Sequence, residues 1–177
     1  EYKSVFAVIL GTGVGAGYSV NKKIIVGPNK LTGEWGQNPI PGPMDEYEKS
    51  VKRHCGRVGA VEVFLSGPGL ENYYEHITKT KISSRDIVSL YRENDLVAGE
   101  VMDVYFERIA RSFSTFVNIL DPDVIVCGGG MSEIDEIYDE VPNRIIPYIA
   151  SNFFLTPIVK ATHGSSSGVR GAAHLWN

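Results

Sequence analysis

The chain has 177 residues, 43% hydrophobic and 21% charged, the size and make-up of one globular unit with a sizeable core. Its 17 Lys and Arg stand against 21 Asp and Glu, a formal net charge of −4, which speaks against a nucleic-acid surface. The one loose basic cluster, Lys49, Lys52, Arg53 and Arg57, reads as a solvated loop. Cys55 and Cys127 lie too far apart and in too different surroundings for a disulfide framework, which fits a reducing cytoplasm. No apolar run approaches the ~20 residues of a membrane span, and no signal peptide is recognisable. The chain opens at Glu1 without a methionine, a few residues before a strand, and reads as a piece of a longer protein.

Val5–Leu10 is a continuous apolar run, the pattern of a strand buried on both faces. It enters Gly11-Thr-Gly-Val-Gly-Ala-Gly17, a turn with four glycines in seven residues, in which backbone amides can approach a phosphate unobstructed. Tyr18 to Val26 then reads as two short strands about an Asn21-Lys22 turn. The stretch from Gly27 to Pro43 is loop, since four prolines forbid long regular structure. Arg53–Gly59 is a second irregular patch, leading into Val61–Leu65.

Helix begins near Gly69, where Leu70, Tyr73, Tyr74 and Ile77 share one face. Ser84 is placed to cap a helix over Arg85–Arg92. Leu96–Leu120 is the longest helical pattern, its apolar stripe running from Val97 to Leu120, and Asp121-Pro122 ends it. Asp123–Cys127 is another buried strand, running into Gly128-Gly-Gly130. Ser132 is expected to cap a short helix that Pro142 breaks, with a second helix starting at Pro142. Pro157–Ala161 is a last strand, Ser165–Gly168 a loop, and Val169–Trp176 a closing helix. A meander followed by alternating helices and strands means an α/β fold, a mixed sheet of about five strands with helices packed on it.

Gly11-x-Gly13-x-x-Ala16 fits the dinucleotide fingerprint, with Glu34 near the spacing of a ribose contact. That fingerprint needs a helix directly after the turn, to receive the pyrophosphate on its amino end. Here the exit, Tyr18-Ser-Val-Asn-Lys followed by Ile24-Ile-Val26, is β-branched and carries no amphipathic stripe. A strand leaves the turn, so the phosphate-hairpin reading replaces the nicotinamide one. A plain hairpin without ligand would need fewer glycines.

Six ordered motifs resemble the ROK family (repressors, open reading frames, kinases): Gly11–Gly17, Gly33-Glu-Trp-Gly-Gln-Asn-Pro39, Cys55-Gly-x-x-Gly-x-x-Glu62, Ser66-Gly67, Asn118-Ile-Leu-Asp-Pro-Asp-Val-Ile-Val126 with the glycines after it, and Ser167–Ala173. The wording is most similar to the fructokinase and mannokinase branch. The resemblance implies an actin-like ATPase (ribonuclease H-like) half-domain. It further implies transfer of the γ-phosphate of ATP, with Mg²⁺, to a hexose hydroxyl in a cleft between two half-domains. Gly11, Thr12, Gly13 and Gly15 would then lie at the phosphates, and Gly128, Gly129 and Gly130 would let adenosine approach the backbone. Glu34, Gln37 and Glu62 match sugar-contacting positions, where carboxylates suit paired hydroxyls.

Where the family sets a histidine and three cysteines around zinc, this chain has Gln37, Arg53, Cys55 and Ala60, and His54 cannot supply the remainder. No zinc or other protein-held metal is therefore expected. By the same resemblance, residues 1–177 form a single carboxy-terminal domain, the aspartate base lies in an amino-terminal half outside the chain, and these residues alone are inactive. Two alternatives stay open: the sugar-sensing half of a ROK repressor, and a non-catalytic sugar-binding homologue. A cytoplasmic protein, with a hexose and ATP as partners and a possible homodimer, completes the expectation.

Overall fold

A computed structural model describes residues 2–53 and 55–173. Its sheet is built from β1 (Ser4–Leu10), β2 (Val14–Val20), β3 (Lys23–Ile24), β4 (Val124–Gly128) and β5 (Ile158–Lys160), in the order β3-β2-β1-β4-β5. β1 pairs antiparallel with β2 and parallel with β4, and β4 parallel with β5. The β2–β3 turn works because Asn21 (φ 49°) and Lys22 (φ 64°) both adopt the left-handed region that such two-residue hairpins require. The expected α/β fold with a mixed five-stranded sheet is the one observed.

β1 departs from expectation in one respect. Phe6, Val8 and Leu10 are buried while Ala7 and Ile9 are exposed, so this strand is covered on one face and not two. Crossovers that step the same way along a sheet, here from β3 past β2 and β1 into β4 and from β4 into β5, carry their helices to one side. That side holds α5 (Leu96–Leu120), whose Ile109, Phe113 and Phe116 lie against the strands, with Phe6 and Phe116 stacked at 4.1 Å. The apolar stripe of α5 is thus a core face, and burying each such side chain contributes about 1.5–3 kcal/mol.

Around α5 pack α2 (Glu62–Leu65), α3 (Gly67–Thr78), α4 (Ser84–Arg92) and α6 (Glu136–Arg144). α1 (Glu46–Ser50) was not read from the sequence; it is held by a capping box in which Asp45 and Glu48 accept from each other's backbone amides. The cap of α4 is Ser83 and not Ser84, with Asp86 completing its box. Ser132 caps no helix: it lies in a 3-10 turn over Gly130–Glu133 and its hydroxyl donates to the Gly129 carbonyl at 2.7 Å. Pro142 stays inside α6 instead of breaking it. Ile137, Val141 and Ile145 are fully buried along one stripe, and that packing outweighs the one hydrogen bond the proline removes. The closing helix, α7 (Ser167–Ala173), starts within the stretch read as loop, and the expected residues 174–176 lie outside the described residues, as does His54.

Asp123 closes the sheet at its lower edge. Its carboxylate accepts from the amides of Lys3 at 2.6 Å and Ser4 at 2.8 Å, and the bonds from Ser4 and Lys3 hold it below the usual carboxylate range.

Candidate functional site

The glycine turn is tighter than the sequence suggests. β1 ends at Leu10, the Gly11 amide donates to the Gly13 carbonyl at 3.0 Å, and β2 has begun by Val14. Gly15 and Gly17 are therefore strand residues, opposite Ile9 and Ala7. β4 runs parallel beside β1 and ends with Gly128 opposite Ile9, so both glycine stretches leave the same carboxyl edge of the sheet. Gly129 (φ 91°) lies under the end of β1, where a Cβ would stand 2.3 Å from the Leu10 carbonyl oxygen. Only glycine fits there. At Gly130 a Cβ would meet open space.

A cleft of about 940 Å³ opens at this edge, lined by Gly11, Thr12 and Gly130. α3, α4 and the turn at 130–134 form its walls, with Val88, Met131 and Ile134 giving an apolar flank. The Gly67 amide at the start of α3 donates to the Gly11 carbonyl at 2.9 Å, and Glu71 accepts from the Ser84 amide at 2.9 Å. Arg92 grips Glu136 with two bonds of 2.7 and 2.9 Å, joining α4 to α6, and those bonds hold the Glu136 carboxyl below its ordinary value. An apolar flank ending in glycine amides suits a ligand with a flat ring at one end and anionic groups at the other. Of the α3 and α4 side of this cleft only Ser66-Gly67, at the start of α3, was singled out from the sequence; α4 was not, and its legible signal was the Ser83–Asp86 capping box.

The second half of the site is a loop stapled to β2. Gly33 (φ 95°) accepts from the Ala16 amide at 2.8 Å, and a Cβ on it would stand 1.8 Å from the Ala16 carbonyl oxygen. Trp35 is buried edge-on against Phe113 and Phe116, which fixes the 3-10 turn Glu34–Gln37 on the core and sets Glu34 and Gln37 at its two ends. Glu62 opens α2; its Oε2 accepts from the Val14 amide at 3.3 Å, directly beside Gly13. Arg53 bridges the two: one guanidinium nitrogen donates to Gln37 Oε1, the other to Glu62 Oε1 at 2.7 Å. The Arg53 side chain is 11% exposed, so the reading of this residue as part of a solvated cluster is corrected. Nothing in the sequence announced the bridge, because its acceptors lie 16 and 9 residues away on different segments.

A family model described as the ROK family matches residues 1–177. The chain belongs to the ROK family. It is 38% identical over 176 residues to an N-acetyl-D-glucosamine kinase of Vibrio atlanticus, covering 97% of this chain and 58% of that relative. A ROK glucokinase of Streptomyces griseus, solved with glucose and AMPPNP, superposes with a TM-score of 0.84 at 21% identity, over 98% of this chain and 60% of that one. A ROK transcriptional regulator, a homologue of the E. coli MLC protein, gives 0.72 at 19% identity, over 89% and 41%. The chain thus spans just under three-fifths of the relative it matches.

Within this ROK chain the structure brings Gly11, Thr12 and Gly130 to one cleft and sets Gly13 against Glu62. Gly128 ends β4 opposite Ile9 and Gly129 lies under the end of β1, both behind the cleft lining, and Gly15 lies farther back in β2. Glu62 and Gln37 share Arg53, and Glu34 stands at the far end of the same short turn as Gln37. Cys55 is exposed, its thiol lowered by a bond to the Arg57 backbone and by the neighbouring Arg53 and Arg57 charges. Cys127 is buried, which pushes its thiol up to about 12 and leaves it an inert core residue. Among the described residues no three His, Cys, Asp or Glu side chains are grouped to hold a metal, and no helix is long and apolar enough to cross a membrane.

Proposed function

We propose that this chain is the carboxy-terminal half of an ATP-dependent hexose kinase, acting on an N-acetylated hexosamine. The observation that carries the reading is the meeting of two glycine stretches, 11–13 and 128–130, at the carboxyl edge of two parallel strands, beside a cleft of about 940 Å³. The choice of sugar rests on the 38%-identical relative, which is named for N-acetyl-D-glucosamine; the motif wording that suggested fructose or mannose gives way to it.

In this reading the adenine end of ATP lies along Val88, Met131 and Ile134, and Gly128–Gly130 let its ribose approach the backbone. Gly11 lines the cleft with its amide closing the turn on the Gly13 carbonyl, so the amides of Thr12 and Gly13 and the Thr12 hydroxyl would face the phosphates, which would carry Mg²⁺. Gly15, set back in β2, supports the turn. Glu62, Glu34 and Gln37 orient sugar hydroxyls by accepting their hydrogen bonds. Transfer forms a bond from the attacking hydroxyl oxygen to the γ-phosphorus and breaks the bond to the β-phosphate oxygen, an in-line exchange governed by positioning and charge. The base that takes the hydroxyl proton comes from the amino-terminal half, so residues 1–177 alone are inactive.

The likeness to the ROK regulator supports a second reading, a sugar-sensing domain without chemistry. One experiment separates the two. The intact protein is incubated with Mg·ATP and a panel of N-acetylglucosamine, N-acetylmannosamine, glucose, fructose and mannose, and ADP release is followed. Turnover is expected, fastest with an N-acetylated sugar. Sugar binding without ADP release on any of them overturns the kinase reading, and specific binding to operator DNA establishes the other.

A further inference from the structure

We infer that Arg53 replaces a bound metal as the staple of the sugar-side loop, and that by holding Glu62 and Gln37 it positions them for the substrate. The second half of this inference rests on the kinase reading above; the first does not.

Three segments meet at Arg53. Gln37 ends the 3-10 turn on β2, Glu62 opens α2, and Arg53 itself lies in the hairpin whose Lys52 and Val58 face each other. The ROK resemblance sets a zinc among positions 37, 53, 55 and 60. A tetrahedral zinc needs four donors. Here Ala60 has none and is buried opposite Pro39. At position 53 stands a fixed cation already shared between Gln37 and Glu62. A divalent ion set beside that guanidinium would be repelled by it, so the residues present do not fit a zinc.

The guanidinium does the mechanical work in a different way. Its planar fork gives two donors at a set angle, joining two acceptors that stand on different segments. Backbone bonds finish the loop: Arg53 to Arg57 at 2.8 Å, Ile40 to Gly59 at 2.7 Å, and Val61 to Asn38 at 2.8 Å. With Glu62 Oε1 taken by Arg53, Oε2 is turned toward Val14 and the glycine turn. The sugar carboxylate is thereby set against the phosphate end of the cleft, and its aim depends on an arginine where a metal would otherwise be needed.

The test uses the intact protein and the variants Arg53→Ala and Arg53→Lys. In Arg53→Ala, amides of residues 37, 38, 40 and 59–63 are expected to exchange about tenfold faster or more, with those of β1 and β4 unchanged. The hexose KM is expected to rise about tenfold, because both Arg53 bonds are lost and Glu62 and Gln37 are no longer aimed, while the KM for ATP stays within about twofold. Arg53→Lys restores the charge without the fork and is expected to recover only part of both effects. Dialysis of the wild type against a chelator is expected to change neither quantity.

Unaltered exchange and hexose KM in Arg53→Ala overturn the inference. So does faster exchange throughout the chain with both KM values raised alike, which makes Arg53 a general stabiliser. Stoichiometric zinc in the purified protein, with activity lost on its removal, overturns the metal-replacement half. If the wild type phosphorylates no hexose, the kinase reading falls, and the local exchange measurement by itself decides whether Arg53 is the staple.

Discussion

Glu48 is 1% exposed and faces two guanidiniums: Arg108 at 2.9 Å and Arg111 at 3.1 Å. Arg108, itself 2% exposed, lies over the rings of Tyr73, Phe64 and Tyr47 at 4.2, 5.0 and 5.4 Å. Arg111 also donates to the carbonyls of Pro41 and Pro43, so this one acid ties α1 and the proline-rich loop to the middle of α5. Glu48→Gln keeps the shape and deletes the charge, leaving Arg111 without a carboxylate among the described residues and Arg108 with only Asp45 at 3.5 Å; a loss of about 3 kcal/mol in urea unfolding is expected. A change below about 1 kcal/mol would mean that the two arginines find other acceptors. The Asp45-x-x-Glu48 box is a local signal that could have revealed α1, although the prolines before it pointed to loop. Its pairing with Arg108, 60 residues on, is a tertiary fact that no local pattern carries. Arg53 was missed for the same reason: a buried arginine and a solvated one look alike in a sequence until the acceptors are placed.

At the level of elements, the long periodic segment was the most legible. The bounds of α5 fall where its stripe and the following Asp121-Pro122 put them, with Asp121 in the left-handed conformation at its end. Short elements were less so, since the four residues of α2 and the five of α1 hold too little of a period, and α6, nine residues with a proline inside, takes its form from what it packs on. The join of α4 to α6 gives a pH test. The Glu136 carboxyl is held low by Arg92, so its contribution is complete above the ordinary glutamate range, about pH 4.3, and is lost as pH falls through the lowered value. The urea midpoint of the wild type is therefore expected to drop more between about pH 6 and 3 than that of Glu136→Gln. Parallel curves would show that the pair, with Arg92 about half exposed, contributes nothing to folding.

For the whole molecule, the mixed sheet of about five strands was legible because a meander is followed by two helix–strand units; the strand order β3-β2-β1-β4-β5 was not read from the residues. That the two glycine stretches serve one ligand came from the ROK resemblance, and the structure supplies the geometry, since β1 and β4 are parallel neighbours that end at a common edge, the glycine corner. What the residues could not convey is how the two halves of the site touch, through Glu62 against Val14 and Gly13. That contact is decided by where the loop docks on β2, and Trp35 decides it from the core.

The Asp123 clip joins residues 119 positions apart in the chain. At ribosomal speeds of about 5–20 residues per second, β1 waits roughly 6 to 24 seconds for its parallel partner to be synthesised. Through that interval the nascent chain holds an apolar hairpin whose open edge, on what becomes the central strand, has no partner yet. In pulse-labelled refolding, the amides of α5 are expected to gain protection before those linking β1 to β4, because the helix closes locally and the strand pair must close a long loop. Protection of β4 ahead of α5 would mean that the sheet centre, and with it the glycine corner, nucleates the fold.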